Sequence, residues 1–216
     1  MTLAGAALSL LALLVLAALG LGAYMAWAMY LPSRGPRIDR ARRPRRALLV
    51  LDLQEGYAGT GPRQPPMNLP ATGLFGAVNR TVDWAEAAGA EVGYVTQVFG
   101  ADWLLRLHGG RRAGRVVVDR RVRIVNGNTF EKRRTDAFAC RALVAWLDER
   151  EVGELVLTGV DAAHCVAMTA RGALARGYAV TVVADAVASR YPLPAVLEQL
   201  RARGVRVVES RALGEG

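Results

Sequence analysis

Lysine is almost missing from this 216-residue chain. Among its 28 basic residues only Lys132 is not an arginine, so one ammonium stands among 27 guanidiniums. Histidine is nearly as scarce. His108 and His164 are the only two, which leaves little room for a histidine-rich metal centre. The two cysteines, Cys140 and Cys165, are too few for a disulfide framework and fit a reducing compartment. Charge is absent altogether from Met1 to Ser33. A dinucleotide fingerprint is missing too, because Gly59-Thr60-Gly61 runs into Pro62 with no helix opening there. No internal repeat is visible.

The uncharged stretch is long enough for a bilayer. Residues 3–31 are apolar apart from Ser9 and small or aromatic residues, and roughly 20 apolar residues span the hydrocarbon core. Tyr24, Trp27 and Tyr30 gather towards its C-terminal end, as rings at the headgroup level do. Ala26-Trp27-Ala28 resembles a signal cleavage site, but no positive charge precedes the apolar run, which favours a retained anchor over residues 1–32. Seven arginines and Asp39 then fill a linker over 33–46 and carry +6 of the formal +9. Positive residues beside a first span stay inside, so the expectation is a single-pass membrane protein with the domain that follows on the cytoplasmic side and the linker touching anionic lipid. The remaining charge is modest and forms no basic stripe, which argues against nucleic-acid binding.

The rest, 47–210, is expected to be one domain. Residues 47–53 form a continuous apolar run, as in a parallel strand covered on both faces. Residues 56–70 are rich in Gly and Pro and read as a long loop. Strands are expected at 92–98, 155–159, 180–184 and 205–208, with a third strand of unassigned register within 115–132. Helices are expected at 71–88 (closed by Gly89), 136–150, 162–176 (closed by Gly177) and 192–203. This alternation predicts an α/β fold: a doubly wound, Rossmann-like, mostly parallel sheet of about six strands with helices on both faces.

In such sheets the site lies at the carboxyl ends of strands, where strand order reverses. Asp52 ends the first strand, and Cys165 follows the fourth at the opening of a helix. With the order 3-2-1-4-5-6 the two become neighbours. A helix N-terminus favours thiolate over thiol, and its amides can stabilise an oxyanion. Val166, Thr169, Ala170, Ala173 and Leu174 recur at helical spacing and should face the sheet. Cys140 reads as a mid-helix core residue. His164, about 100° around a helix from its neighbour, reads as a spectator.

Three motifs in order resemble the isochorismatase-like cysteine hydrolases. They are Leu51-Asp52-Leu53-Gln54, Phe130-Glu131-Lys132-Arg133-Arg134-Thr135-Asp136-Ala137-Phe138, and Thr158-Gly159-Val160-Asp161-Ala162-Ala163-His164-Cys165-Val166. A fourth stretch, 173–186 with Asp185, is similar to that family's later strand. The resemblance implies a catalytic triad. Asp52 is the general base, Cys165 the nucleophile forming an acyl intermediate, and Lys132 the cation that keeps both charged. It also implies a cis peptide at Val160–Asp161, aiming the Asp161 and Cys165 amides at an oxyanion, and a substrate pocket that could include Gln54, Tyr57 and Trp103. No cofactor is expected. Nicotinamidases of the family carry an Asp-x-His metal cluster after the second strand, but here no histidine follows until His108, so no metal is expected. Asp161 reads first as a helix N-cap. Its carboxylate would repel acidic substrates and favour a neutral or cationic amide.

The function so implied is a membrane-anchored cysteine hydrolase cleaving a C–N bond of a small amide through a thioester on Cys165. Two alternatives stand beside it: an isochorismatase-type vinyl-ether hydrolase, and a catalytically silent membrane-tethered binding module. A small-molecule substrate is the expected partner, and a homo-oligomer is compatible with the family.

Overall fold

The computed structural model describes residues 3–55, 73–98 and 117–214, with side chains in the first helix described for 8–24, 26, 27 and 30. Six parallel strands form one sheet: β1 (Arg45–Leu51), β2 (Glu91–Gln97), β3 (Thr129–Lys132), β4 (Val152–Val160), β5 (Ala179–Ala188) and β6 (Arg206–Val208). Their order is β3-β2-β1-β4-β5-β6, the doubly wound order expected, with the reversal between β1 and β4. Among the described residues the α-helices are α1 (Leu3–Tyr30), α2 (Leu74–Ala87), α3 (Arg141–Glu149), α4 (Ala167–Ala175) and α5 (Leu193–Ala202).

The reason for the fold is visible in β1. Successive strand residues point to opposite faces. Leu49 and Leu51 therefore join the core beneath α3, α4 and α5, with Leu143, Leu147, Ala170, Ala173 and Leu200. Leu48 and Val50 join the other core, with Val78 and Val82 of α2. All four β1 residues are at most 2% exposed, and burying each leucine contributes roughly 1.5–3 kcal/mol before entropy is charged.

Element boundaries shift by a few residues from the sequence reading, and two helices start differently. The helix expected over 136–150 opens as a separate 3-10 turn, Ala137–Ala139, capped by the Asp136 carboxylate. Cys140 then sits at the junction as the residue preceding α3, partly buried against the core and not mid-helix. The helix expected over 162–176 opens with a π-helical turn, Ala162–Val166, before α4. The third strand acquires its register: Thr129 to Lys132 pair with Tyr94 to Gln97. Gly89 and Gly177 end their helices with φ of +63° and +88°, as expected of left-handed cap residues.

The arginine linker is not a loose tether. Residues Arg45 and Arg46 already belong to β1, and Arg40–Arg42 form a 3-10 turn capped by Asp39. Ser33 donates from its N–H and Oγ to Asp136 Oδ2 at 2.7 and 2.6 Å. Arg176 Nη1 donates to the Ser33 carbonyl, and the Ile38 N–H to the Arg176 carbonyl, both at 2.8 Å. The carbonyl of Arg43 lies so close to Gly153 that a Cβ there would stand 2.2 Å from it.

α1 carries no charged residue. Among the described residues no helix is long and apolar enough to cross a membrane.

Candidate active site

The tips of β1, β3 and β4 bring three side chains together. Asp52 follows β1 with φ of +55°, a left-handed conformation that aspartate tolerates better than most residues. Its N–H is held by the Val95 carbonyl at 2.8 Å, so β2 fixes the turn. Beside it β4 approaches at Gly159, whose φ is +113° and whose missing Cβ would lie 2.0 Å from the Leu51 carbonyl oxygen. Only glycine allows that contact.

Asp52 and Lys132 are both fully buried, and Lys132 Nζ lies 2.9 Å from Asp52 Oδ2. Apart from this ammonium, no nitrogen or oxygen donor among the described residues holds either carboxylate oxygen. Lys132 Nζ also donates to Gln97 Oε1 at 2.6 Å, to the carbonyls of Arg134 and Thr135 at 3.2 Å, and to Cys165 Sγ at 3.3 Å. Burial alone would pull the lysine pKa down. The negative charge of Asp52, with that of Cys165 when ionised, outweighs burial, and the net shift is upward. Lys132 therefore stays an ammonium.

Cys165 is in the π-helical turn and 7% exposed. The expectation that its position keeps it ionised does not hold. Burial pushes the thiol up to about 12, and the Asp52 carboxylate adds to the rise against the opposing pull of Lys132. The partial charge of one helical turn is smaller than these two effects. Both effects favour the thiol over the thiolate.

The peptide bond Val160–Asp161 is cis. Asp161 caps the turn by accepting from the Ala163 N–H at 3.0 Å, and its carbonyl accepts from His164 and Val166. Burial opposes ionisation of its carboxyl, but bonds from His164, Ser189, the Ala163 N–H and Arg190 lower it to about 2. Arg190 Nε lies 2.9 Å from Asp161 Oδ2 and His164 Nδ1 3.3 Å from it. The carboxylate is thus paired, and the argument that it repels acidic substrates falls away. His164 also stacks near Tyr191, with ring centroids 5.7 Å apart.

Gln54 engages the backbone of β2. Its amide donates to the Gln97 carbonyl at 3.1 Å and accepts from the Gln97 N–H at 2.7 Å, tying the ends of β1 and β2 together. Tyr57, Trp103 and His108 lie outside the described residues. Gln97 itself went unrecognised in the sequence. The available signal was a polar side chain at the carboxyl end of a strand; its pairing opposite Lys132 appears only in the structure. Asp185 lies elsewhere, accepting from Ser210 and Arg80.

Two cavities, of about 740 and 230 Å³, lie near Trp27, Arg34 and Arg134 and near Tyr30, His164 and Arg171; neither is lined by Asp52, Lys132 or Cys165. Among the described residues no group of three or more His, Cys, Asp or Glu could hold a metal.

Residues 46–212 match the family described as isochorismatase domain. An isochorismatase family protein from Desulfovibrio vulgaris subsp. vulgaris str. Hildenborough superposes with a TM-score of 0.67 at 25% identity, covering 79% of this chain and 96% of that one. N-carbamoylsarcosine amidase from Thermoplasma acidophilum gives 0.64 at 27% identity, covering 79% and 99%. Pyrazinamidase of Pyrococcus horikoshii, solved in complex with zinc, shares the fold with 0.63 at 22% identity, covering 77% and 99%. Comparison with curated proteins finds no match.

Proposed function

The chain belongs to the isochorismatase family of hydrolases, and from that premise we propose that it hydrolyses a C–N bond of a small amide through a thioester on Cys165. The observation that carries this is the buried cluster of Asp52, Lys132 and Cys165, with Lys132 Nζ 2.9 Å from the carboxylate and 3.3 Å from the sulfur. The 27% identity to an amidase supports the choice of bond.

A neutral thiol suits Asp52 as general base. The high thiol pKa reflects burial and loss of the proton while Asp52 remains anionic. If the proton passes to Asp52, that repulsion vanishes and one anion, the sulfur, remains beside the Lys132 ammonium. The sulfur then attacks the carbonyl carbon, forming C–S and driving the electron pair onto oxygen. Collapse of the adduct breaks C–N, and the leaving amine takes the proton from Asp52. Water attacks the thioester, gives a proton to Asp52, and expels the sulfur. Asp52 returns that proton to sulfur, releasing the acid. Amides in the turn after the cis peptide, those of Asp161 and Cys165, are assigned to the developing oxyanion.

The same proposal includes a membrane anchor over residues 1–32. α1 has 28 residues and would be about 42 Å long at 1.5 Å per residue. Leu8, Leu13 and Leu19 remain 64–68% exposed, and a helix apolar all round needs a nonpolar surrounding. The arginines after it favour the domain on the cytoplasmic side. Retention of the full chain in membranes after an alkaline wash is expected, and release into the supernatant would remove this part.

The test of the chemistry uses the full chain in detergent micelles, because the linker is built into the domain. Screening small amides for ammonia release should find a substrate whose turnover disappears in Cys165→Ala, with an acyl adduct on Cys165 by mass. Turnover intact in Cys165→Ala defeats the thioester. Turnover of a vinyl-ether substrate that is retained in Cys165→Ala but lost in Asp52→Asn selects the vinyl-ether mechanism.

A further inference from the structure

The loop that follows Lys132 has two roles. On its inner side the carbonyls of Arg134 and Thr135 each accept from Lys132 Nζ at 3.2 Å. On its outer side Arg134 reaches back to the end of α1. Its Nη2 donates to the carbonyls of Trp27 and Leu31 at 2.9 and 2.7 Å, and its guanidinium carbon sits 3.7 Å from the Trp27 ring centroid. Those carbonyls belong to the end of a helix, where backbone acceptors lack intrahelical partners. Two residues on, Asp136 is wholly buried and receives the Ser33 N–H and Oγ. The segment 27–33 therefore grips the loop at both of its ends, more than 100 residues away in sequence.

We propose that Arg134 is a positioning residue: by bonding through Nη2 to the carbonyls of Trp27 and Leu31 at the end of α1 and lying over the Trp27 ring, with Ser33 on Asp136 as the second grip, it fixes the loop whose own carbonyls hold the Lys132 ammonium against Asp52 and Cys165. This rests on the reaction centre assigned above and extends it. The N-terminal segment becomes part of the scaffold of the site. A guanidinium suits the task because its planar group can lie on the Trp27 ring while Nη2 serves both carbonyls, whereas an ammonium is a point charge. Loosening the loop lets the ammonium turn away from the sulfur. Small displacements of a positioned group cost catalysis out of proportion to their size.

The test compares wild type, Arg134→Ala, Arg134→Lys and Ser33→Ala as full chains in micelles, each first checked for folding by its thermal melt. Arg134→Ala is expected to lower kcat by about ten- to a hundredfold with KM altered less than about twofold. Site-resolved iodoacetamide labelling of Cys165, followed by mass spectrometry across pH, should move to higher pH in Arg134→Ala and less far in Ser33→Ala. Arg134→Lys, which keeps the charge but not the planar contact with Trp27, should recover only a minor part of both losses. Full recovery by lysine would mean that charge alone acts, which overturns the clamp. A wild-type labelling profile in both alanine variants would overturn it too. If Arg134→Ala fails to fold, the Ser33→Ala profile decides. Should no amide be turned over even by wild type, the substrate reading fails while the labelling profile still tests the clamp.

Discussion

Replacing Lys132 by methionine keeps most of the side-chain volume and removes only the ammonium. The lysine is completely buried, as is its carboxylate partner 2.9 Å away. Breaking a buried pair by deleting one partner costs about 3–5 kcal/mol, because the other charge stays in a poor solvent. Gln97 Oε1 and the carbonyls of Arg134 and Thr135 lose a donor as well, each at a cost of about 1–3 kcal/mol where water cannot replace it. Taking the ion pair alone, and about 2–4 °C per kcal/mol for a domain of this size, Lys132→Met should melt about 6–20 °C below wild type. Asp52→Asn is the matching partner variant, since asparagine also tolerates the positive φ at that position. A double-mutant cycle of Asp52→Asn and Lys132→Met, by urea denaturation near pH 7, should give a coupling energy of about 2–3 kcal/mol. Coupling below about 0.5 kcal/mol would mean that solvent screens the pair, and the buried ion pair would be wrong. Lys132→Met should also be inactive at temperatures where it is folded, which separates loss of chemistry from loss of fold.

Cys165 labelling by iodoacetamide should keep rising beyond pH 9, because burial and Asp52 push the thiol up to about 12; a plateau reached by pH 7 would contradict this. The same shift means that folded-state stability present below the ordinary thiol range is lost as pH rises towards 12, readable in alkaline melts. Gly159→Ala should destabilise by several kcal/mol and abolish turnover, since its Cβ would sit 2.0 Å from the Leu51 carbonyl oxygen beside Asp52; a near-normal melt would show that β4 can shift. Asp161 is held near 2, so its contribution to stability is present above its ordinary value of 3.8 and fades as pH falls through 2. Arg190→Gln should accordingly cost about 1 kcal/mol or less near pH 7, as its guanidinium is 42% exposed, and the gap should close in acid melts.

The alternation of strands and helices was legible because apolar runs mark buried parallel strands. The nearness of Asp52 and Cys165 followed once the strand order 3-2-1-4-5-6 was supposed, and the place of Lys132 beside them came from the resemblance of its motif to the family. The rest depended on which atom finds which partner. Gln54 looks alike whether it faces a substrate or a neighbouring backbone, and here it binds Gln97 twice. The four residues of β3 are too few for their alternation to select a register, which the pairing of Lys132 with Gln97 completes. The linker reads only as a basic segment beside the apolar helix, yet Ser33 finds Asp136 across 103 positions. The charge state of Cys165 could not be read from a turn position either, because it depends on how deeply the sulfur lies and on the carboxylate beside it.

The head of Lys132 brings three N–H bonds to five waiting acceptors: Asp52, Gln97, the carbonyls of Arg134 and Thr135, and the sulfur of Cys165. Demand exceeds supply, so at every instant some neighbours go unserved. A spin about the terminal C–N axis, with no heavy atom displaced, re-deals the protons towards whichever neighbour has just become negative. The cation thus works as a turnstile between oxygen and sulfur, and negative charge can change hands without the protein having to rearrange around it.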